Sequence, residues 1–222
     1  MKRLVVLGDR NPEYLTHREI DAAIALMPST VAARWVGTDT PEAARTEQAD
    51  ALWVVPGSPY KDDEAVYAAI EFARESGQPF LGSCAGFQYA VVEFAKHVAG
   101  IAGAGHAETA PHANDLVVQR LSCSLVAQER LVTAVPGTRM FDICGPAPFA
   151  GFHWCNYGLA PAYADSLVKK GLVISAMADD AGVEAIELRD HPFFLATLFQ
   201  PQIGSTKGQP LNPVLRAFVS AF

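Results

Sequence analysis

The sequence has 222 residues, of which 50% are hydrophobic and 18% are charged, a composition that supplies a sizeable core and argues against disorder. Its formal net charge of −7 and the lack of a long basic cluster argue against a nucleic-acid partner, so we expect a small-molecule ligand. No Gly-, Ser- or Pro-rich linker divides the chain, which favours one domain over residues 1–222.

The cysteines do not form a metal-binding or disulfide pattern. Cys84, Cys123, Cys144 and Cys155 lack both the density of a disulfide scaffold and the close pairing of a zinc site. We therefore predict a cytoplasmic protein without a metal or other cofactor. The apolar run after Met1 stops at Gly8, and no stretch approaches the ~20 apolar residues that span a bilayer, so no membrane partner is expected.

The first third of the chain alternates between strand and helix patterns. Apolar runs predict strands at residues 3–7, 31–35 and 51–55, and helical spacing predicts helices from about Thr16 and over residues 63–75. The first helix start depends on a capping box between Thr16 and Glu19. This alternation predicts an α/β fold with a mostly parallel sheet flanked by helices.

The segment Pro79–Gln88 organises the rest of the chain. An apolar run ends in Gly82-Ser83-Cys84-Ala85-Gly86, and a helical pattern follows at once. Glycines two residues either side of a cysteine permit the sharp turn of a nucleophile elbow, and the helix dipole favours the thiolate of Cys84. The backbone N–H of Ala85 and the turn at Gly57 would then form an oxyanion hole. The alternative is a structural cysteine between two glycines.

The second half of the chain is less regular in pattern. Composition and spacing predict a helix at residues 87–99, a loop at 102–115, two antiparallel strands within 116–133, irregular surface over the site at 145–161, a helix at 162–170, strands at 173–177, 185–188 and 194–199, and a closing helix at 213–222.

Several segments carry a family resemblance: Val54–Gly57, Ala69–Arg74, Pro79–Gln88, Ala90–Ala95, Glu184–Leu188 and His191–Phe194. They resemble the glutaminase domain at the C-terminus of CTP synthase, a class I glutamine amidotransferase. The resemblance implies a flavodoxin-like fold and an elbow cysteine that attacks the side-chain amide of glutamine, forms a glutamyl thioester and releases ammonia to a synthase domain. A shorter resemblance, at Gly8–Pro12, is to stand-alone proteins related to that C-terminal region.

The sequence departs from the family at the catalytic triad. The family takes its histidine and glutamate from a Phe-His-Pro-Glu motif, and Phe199-Gln200-Pro201-Gln202 stands there. Gln200 cannot accept a proton, so acid–base assistance worth roughly 10²–10⁴-fold is missing from its usual place. Gln202 lacks the charge that would hold an imidazolium. The site is therefore expected to be repurposed or retired.

The resemblance also implies a substrate pocket with one replaced charge. Its residues would be Ser58, beside Gly57, in place of a second glycine, Gly86, Phe87 and Gln88 after the nucleophile, Glu108 as the family glutamate, and Asn156 in place of the family arginine. That arginine would pair with the α-carboxylate of glutamine. We therefore do not expect free glutamine to be the ordinary substrate.

Two functions remain open from the sequence. In the first, Cys84 forms an acyl-thioester with a small amide, ester or activated acyl compound, and a substitute base comes from His17, His106, His112 or His153. His17 has the alternative of a solvated residue in the first helical turn. In the second, the protein binds or regulates and has lost turnover. The family's synthase half lies outside this sequence, so the resemblance implies a separate acceptor or synthase protein, and a homodimer is a further possibility.

Overall fold

The computed structural model describes residues 1–222. The strands are β1 (Lys2–Leu7), β2 (Val31–Val36), β3 (Ala51–Val54), β4 (Phe80–Ser83), β5 (Ala104–His106), β6 (Asp115–Arg120), β7 (Gln128–Ala134), β8 (Phe149–His153), β9 (Tyr157–Leu159), β10 (Leu172–Ala178), β11 (Gly182–Leu188) and β12 (Phe194–Thr197). The helices are α1 (Leu15–Ala25), α2 (Asp63–Ser76), α3 (Ala85–His97), α4 (Arg139–Cys144), α5 (Pro161–Val168) and α6 (Pro213–Val219). None of them is both long and apolar enough to cross a membrane.

Nine strands form the main sheet in the order β2-β1-β3-β4-β12-β11-β10-β7-β8. The first five run parallel to one another, and the other four extend the sheet by antiparallel pairing. Every residue of the central strands β3, β4 and β12 is buried, because helices cover both faces of the sheet. One core contains residues of α2 and α3, and the other contains residues of α1, α4 and α6. The predicted α/β fold is confirmed.

The first helix begins for a different reason from the one the sequence suggests. Helix α1 starts at Leu15, and its N-cap residue Tyr14 makes no side-chain capping bond. The predicted capping box is wrong because Glu19 has a distant partner. Its carboxylate accepts hydrogen bonds from the backbone N–H of Thr206, at 3.0 Å, and from the Thr206 hydroxyl. A tertiary contact therefore replaces the local one.

Residues 102–161 contain more strand than their composition indicates. The predicted loop includes β5, and the predicted irregular surface includes β8 and β9. The two strands expected within residues 116–133 exist, but β6 pairs with β5 and β9 in a separate three-stranded sheet while β7 pairs with β8 and β10. Gly151 reads as a loop residue, yet an added Cβ would lie 2.9 Å from the Phe199 Cβ, so this glycine permits close packing.

Candidate active site

Cys84 lies at the strand-to-helix turn that the glycine spacing predicts. It joins β4 to α3 with φ 52° and ψ −104°, a backbone conformation that costs a non-glycine residue about 1–3 kcal/mol. Its N–H donates to the Thr197 carbonyl at 2.8 Å. A Cβ on Gly82 would approach the Gly86 carbonyl oxygen to 2.7 Å, and a Cβ on Gly86 would approach the Val54 carbonyl oxygen to 2.2 Å. Both glycines are therefore required by close backbone contacts.

A cavity of about 530 Å³ opens beside Cys84, whose own exposure is 6%. It brings together seven of the residues expected from the sequence, which are Gly57, Ser58, Cys84, Gln88, Glu108, Asn156 and Gln200. Ala85, Gly86 and Phe87 lie buried in the first turn of α3, directly after Cys84. The candidate substrate pocket is thus a real concave site, lined mainly by loops at the ends of the parallel strands.

His17 holds the Gly57 turn. It is fully buried rather than solvated; its Nδ1 accepts the Asn11 N–H at 2.8 Å and its Nε2 donates to the Pro56 carbonyl oxygen at 2.8 Å. Burial lowers its pKa, so the ring is neutral with its proton on Nε2. A Cβ on Gly57 would lie 3.3 Å from that nitrogen. With both nitrogens bonded to backbone, His17 positions the turn and makes no hydrogen bond to Cys84.

His106 supports the pocket in a similar way. Its Nδ1 accepts the Glu108 N–H at 3.0 Å, and its Nε2 donates to Oε1 of Gln88 at 3.0 Å. Burial lowers its pKa to about 4. Gln88 in turn donates to the Tyr157 carbonyl oxygen at 2.8 Å, and the Ser58 hydroxyl donates to Glu108 at 2.8 Å. These expected substrate-binding residues are therefore held rigidly by one another, and His106 has no nitrogen free to act as a base.

His153 and His112 complete the set of candidate bases. His153 is fully buried, with Nε2 at 2.8 Å from a Glu184 carboxylate oxygen, and its Nδ1 has no partner. His112 lies on an exposed loop. Neither makes a hydrogen bond to Cys84; the Cys84 thiol donates instead to the Trp154 carbonyl oxygen, at a long 3.8 Å. His153 is thus the only one of the four that combines burial with an unbonded ring nitrogen.

The two glutamines expected at the family's triad positions contact each other. Gln202 donates from Nε2 to Oε1 of Gln200 at 2.7 Å, and both side chains are buried. Gln200 lines the cavity, and its Nε2 has no hydrogen-bond partner. The pair therefore offers an amide donor at the site, with no group that titrates.

Sequence reasoning missed the position of Cys155 beside the cavity. This residue is 6% exposed, lines the same cavity as Cys84 and lies beside it. Hydrogen bonding to Cys84, followed by burial, raises the pKa of the Cys155 thiol well above its ordinary value. Cys155 lies in a segment whose composition predicts irregular surface, and no local sequence pattern links it to Cys84, which is 71 positions earlier.

One group of side chains has the composition of a metal site. Glu71, Glu93 and His97 have ligand atoms within 4.8 Å of one another. The Arg74 guanidinium already binds the Glu93 carboxylate, through Nε at 3.1 Å and Nη2 at 2.9 Å. We interpret the group as an ion-pair network between α2 and α3, outside the cavity.

Comparison with known proteins agrees with this geometry. The family model described as glutamine amidotransferase class-I matches residues 17–212. The chain belongs to the class I glutamine amidotransferase family. It is similar to the CTP synthase of Aeropyrum pernix, with 38% identity over 188 residues that cover 79% of this chain and 34% of that protein. The CTP synthase of Methanothrix thermoacetophila is 32% identical over 221 residues, covering 94% of this chain and 39% of the relative.

Two solved structures are also similar to this chain. The glutaminase domain of Trypanosoma brucei CTPS with bound acivicin superimposes with a TM-score of 0.83 at 25% identity, covering 100% of this chain and 93% of that one. A glutamine amidotransferase from Thermotoga maritima shares the fold, with a TM-score of 0.59 at 14% identity, covering 99% and 94%. The expected resemblance to the glutaminase domain of CTP synthase is confirmed, although the chain spans only 34% and 39% of the two relatives' lengths.

Proposed function

We propose that the protein performs acyl-thioester chemistry at Cys84 on a small acyl compound. The observation that carries the proposal is a strained cysteine at the N-terminus of α3 that borders a cavity of about 530 Å³. The sulfur would attack the acyl carbon, and the leaving group would depart as the thioester forms. The N–H groups of Ala85 and of the Gly57 turn would stabilise the oxyanion.

The replaced triad favours some substrates over others. An amine leaves an amide only with a proton, and Gln200 has none to give at accessible pH. An ester or activated acyl compound has a leaving group that departs as a stable anion. Asn156 also lines the cavity without the charge that would pair with an α-carboxylate. We therefore propose an ester or activated acyl substrate ahead of a simple amide, and not ordinary glutamine hydrolysis.

The setting of this chemistry is part of the proposal. We infer one domain over residues 1–222, because both cores pack against the same nine-stranded sheet. A separate acceptor or synthase protein would receive the acyl or amino group, as suggested by relatives longer than this chain and named CTP synthase. A homodimer is a further part of this proposal. Four free cysteines favour a reducing cytoplasm.

The second candidate is a binding or regulatory protein that no longer turns over. It is favoured by the buried pair of Gln200 and Gln202, which preserves the shape of the site with two amides. A ligand that accepts a hydrogen bond from Nε2 of Gln200 would satisfy a donor that has no partner. In this case Cys84 would be acylated once, or not at all.

Incubation with p-nitrophenyl acetate, followed by intact mass analysis, distinguishes the acyl-transfer function from the binding or regulatory function. We expect one acetyl group on Cys84, no acetylation of Cys84→Ala at that site, and release of more than one equivalent of nitrophenol. A Cys123→Ser variant is the matched control, because Cys123 does not line the cavity. A stable single adduct supports the binding protein, and absence of any adduct on Cys84 contradicts the acyl proposal.

A further inference from the structure

Two thiols share the cavity. Cys84 and Cys155 are each 6% exposed, both line the cavity, and both are free in the structure. The two side chains are neighbours in the cavity, and the Cys84 thiol reaches the carbonyl oxygen of Trp154, the residue that precedes Cys155, at 3.8 Å. Acyl chemistry at Cys84 uses only one of these thiols. The second has no role in that reaction.

We propose that Cys84 and Cys155 form a reversible thiol–disulfide pair that reduces a small hydroperoxide. The proposal does not rest on acyl transfer; it requires only that Cys84 be nucleophilic. Because Cys84 Sγ already contacts the backbone next to Cys155 and both side chains line one cavity, a disulfide of about 2.05 Å requires the two side chains to move together within that cavity.

The chemistry balances with a hydroperoxide as oxidant. The Cys84 thiolate attacks the distal oxygen of ROOH, the S–O bond forms, the O–O bond breaks, and the alkoxide leaves as ROH after taking a proton. The resulting sulfenic acid is attacked at its sulfur by Cys155. The S–S bond forms, and hydroxide leaves as water with the Cys155 proton. Two thiols are oxidised by two electrons, the peroxide is reduced, and an external dithiol restores the pair.

The structure assigns different roles to the two sulfurs. Cys84 is the N-cap residue of α3, at the positive end of the helix dipole, so we assign Cys84 as the attacking residue. Cys155 stays protonated because its hydrogen bond to Cys84 and its burial both raise its pKa, and it reacts second.

A peroxide also has a polar partner in the cavity. Gln200 is 2% exposed and lines the cavity, and its Nε2 has no hydrogen-bond partner. This amide can donate to the oxygen that becomes the leaving alkoxide. The Gln200 amide is an observation independent of the two cysteines, and it donates a hydrogen bond without changing its protonation state.

Stoichiometric hydrogen peroxide tests the proposal on the reduced full-length protein. We expect a mass loss of about 2 Da, with Cys84 and Cys155 linked in the non-reduced peptide map. Cys155→Ser and Cys155→Ala should instead gain about 16 Da at Cys84 and react with dimedone. Cys84→Ser should not change, and Cys123→Ser should behave as the wild type. With excess dithiothreitol, the wild type should consume several equivalents of peroxide. The Cys155 variants should consume about tenfold less.

Several outcomes would contradict the proposed disulfide between Cys84 and Cys155. One is that the wild-type protein accumulates sulfinic acid without losing about 2 Da. The others are a disulfide that involves Cys123 or Cys144, and a mass loss of about 2 Da that persists in the Cys155 variants. Cumene hydroperoxide as a second probe reports whether the cavity takes organic peroxides. Oxidation and p-nitrophenyl acetate labelling are read on the same wild-type protein, so failure of one chemistry is distinguishable from failure of the other.

Discussion

The side chains of Gln200 and Gln202 form one hydrogen-bonded unit, with Nε2 of Gln202 donating to Oε1 of Gln200 at 2.7 Å. Gln200 lies at the cavity that also contains Cys84, while Gln202 is fully buried behind it. This contact is the one we would expect if two amides stood in place of a base and its orienting partner. Changing both glutamines together is therefore a direct test of the site.

The double change Gln200→His with Gln202→Glu should restore an imidazolium beside Cys84. A favourable interaction of about 1.4 kcal/mol with the thiolate would raise its fraction, and so the rate of iodoacetamide capture at pH 6, about tenfold. The single variant Gln200→Asn serves as a control that adds no charge. A double variant that folds normally and reacts at the wild-type rate would mean that residue 200 does not act on the thiol.

Cys84 should be the most reactive of the four cysteines. Burial raises the pKa of Cys144 to about 11, and the pKa of Cys155 is raised by its hydrogen bond to Cys84 and by burial. Both should therefore react slowly with iodoacetamide at pH 7, as quantified for each peptide by mass spectrometry. Equal rates at Cys84 and Cys144 would argue against an activated elbow thiol.

Glutamine should not be hydrolysed above the background of Cys84→Ser. Gln200 supplies no proton for the departing ammonia, and Asn156 supplies no charge for the α-carboxylate. The measurement is coupled-enzyme detection of ammonia over several hours. Ammonia release that requires Cys84 would show that another residue acts as the acid and base.

Stability should decrease on mild acidification because of His106. Its pKa is lowered by burial to about 4, below the unfolded value of about 6.5, so the unfolded state binds more protons between these pH values. The contribution of neutral His106 to the free energy of unfolding is present above pH 6.5 and is lost as the pH falls towards 4. We expect the free energy of unfolding to decrease by about 2 kcal/mol from this residue between pH 7 and 5.

Urea denaturation of His106→Asn provides the control for that pH effect. Asparagine takes up no proton, so the variant should lose less stability between pH 7 and 5 than the wild type does. The burial of His17 and His191 lowers their pKa values as well, so some acid sensitivity should persist in the variant. An unchanged pH dependence would contradict the neutral assignment of His106.

Gly86→Ala should destabilise the protein more than Gly208→Ala. A Cβ at position 86 would lie 2.2 Å from the Val54 carbonyl oxygen, whereas position 208 has nothing within 4 Å and only an unfavourable φ of +68°. We expect a loss of about 3 kcal/mol for the first variant and about 1 kcal/mol for the second, measured by urea denaturation. Equal losses would indicate that the elbow relaxes around the added methyl group.

Much of the fold could be predicted because its signals are local. The apolar runs of β1, β3 and β4 and the helical spacing of α2 and α3 are periodic within a few residues, and the structure has each of them. Predictions for residues 102–161 were less accurate, because strands β5, β8 and β9 are short and their pairing partners lie far along the chain.

The sequence alone determined the sharp turn at Cys84, since two glycines at fixed spacing are a requirement of the backbone next to them. Only the tertiary structure decided what surrounds that turn. His17 bonds to a carbonyl 39 residues away, His153 to a carboxylate 31 residues away, and Cys84 to a carbonyl 70 residues away. These hydrogen bonds orient the three side chains, and they depend on chain segments that meet only when the sheet has formed.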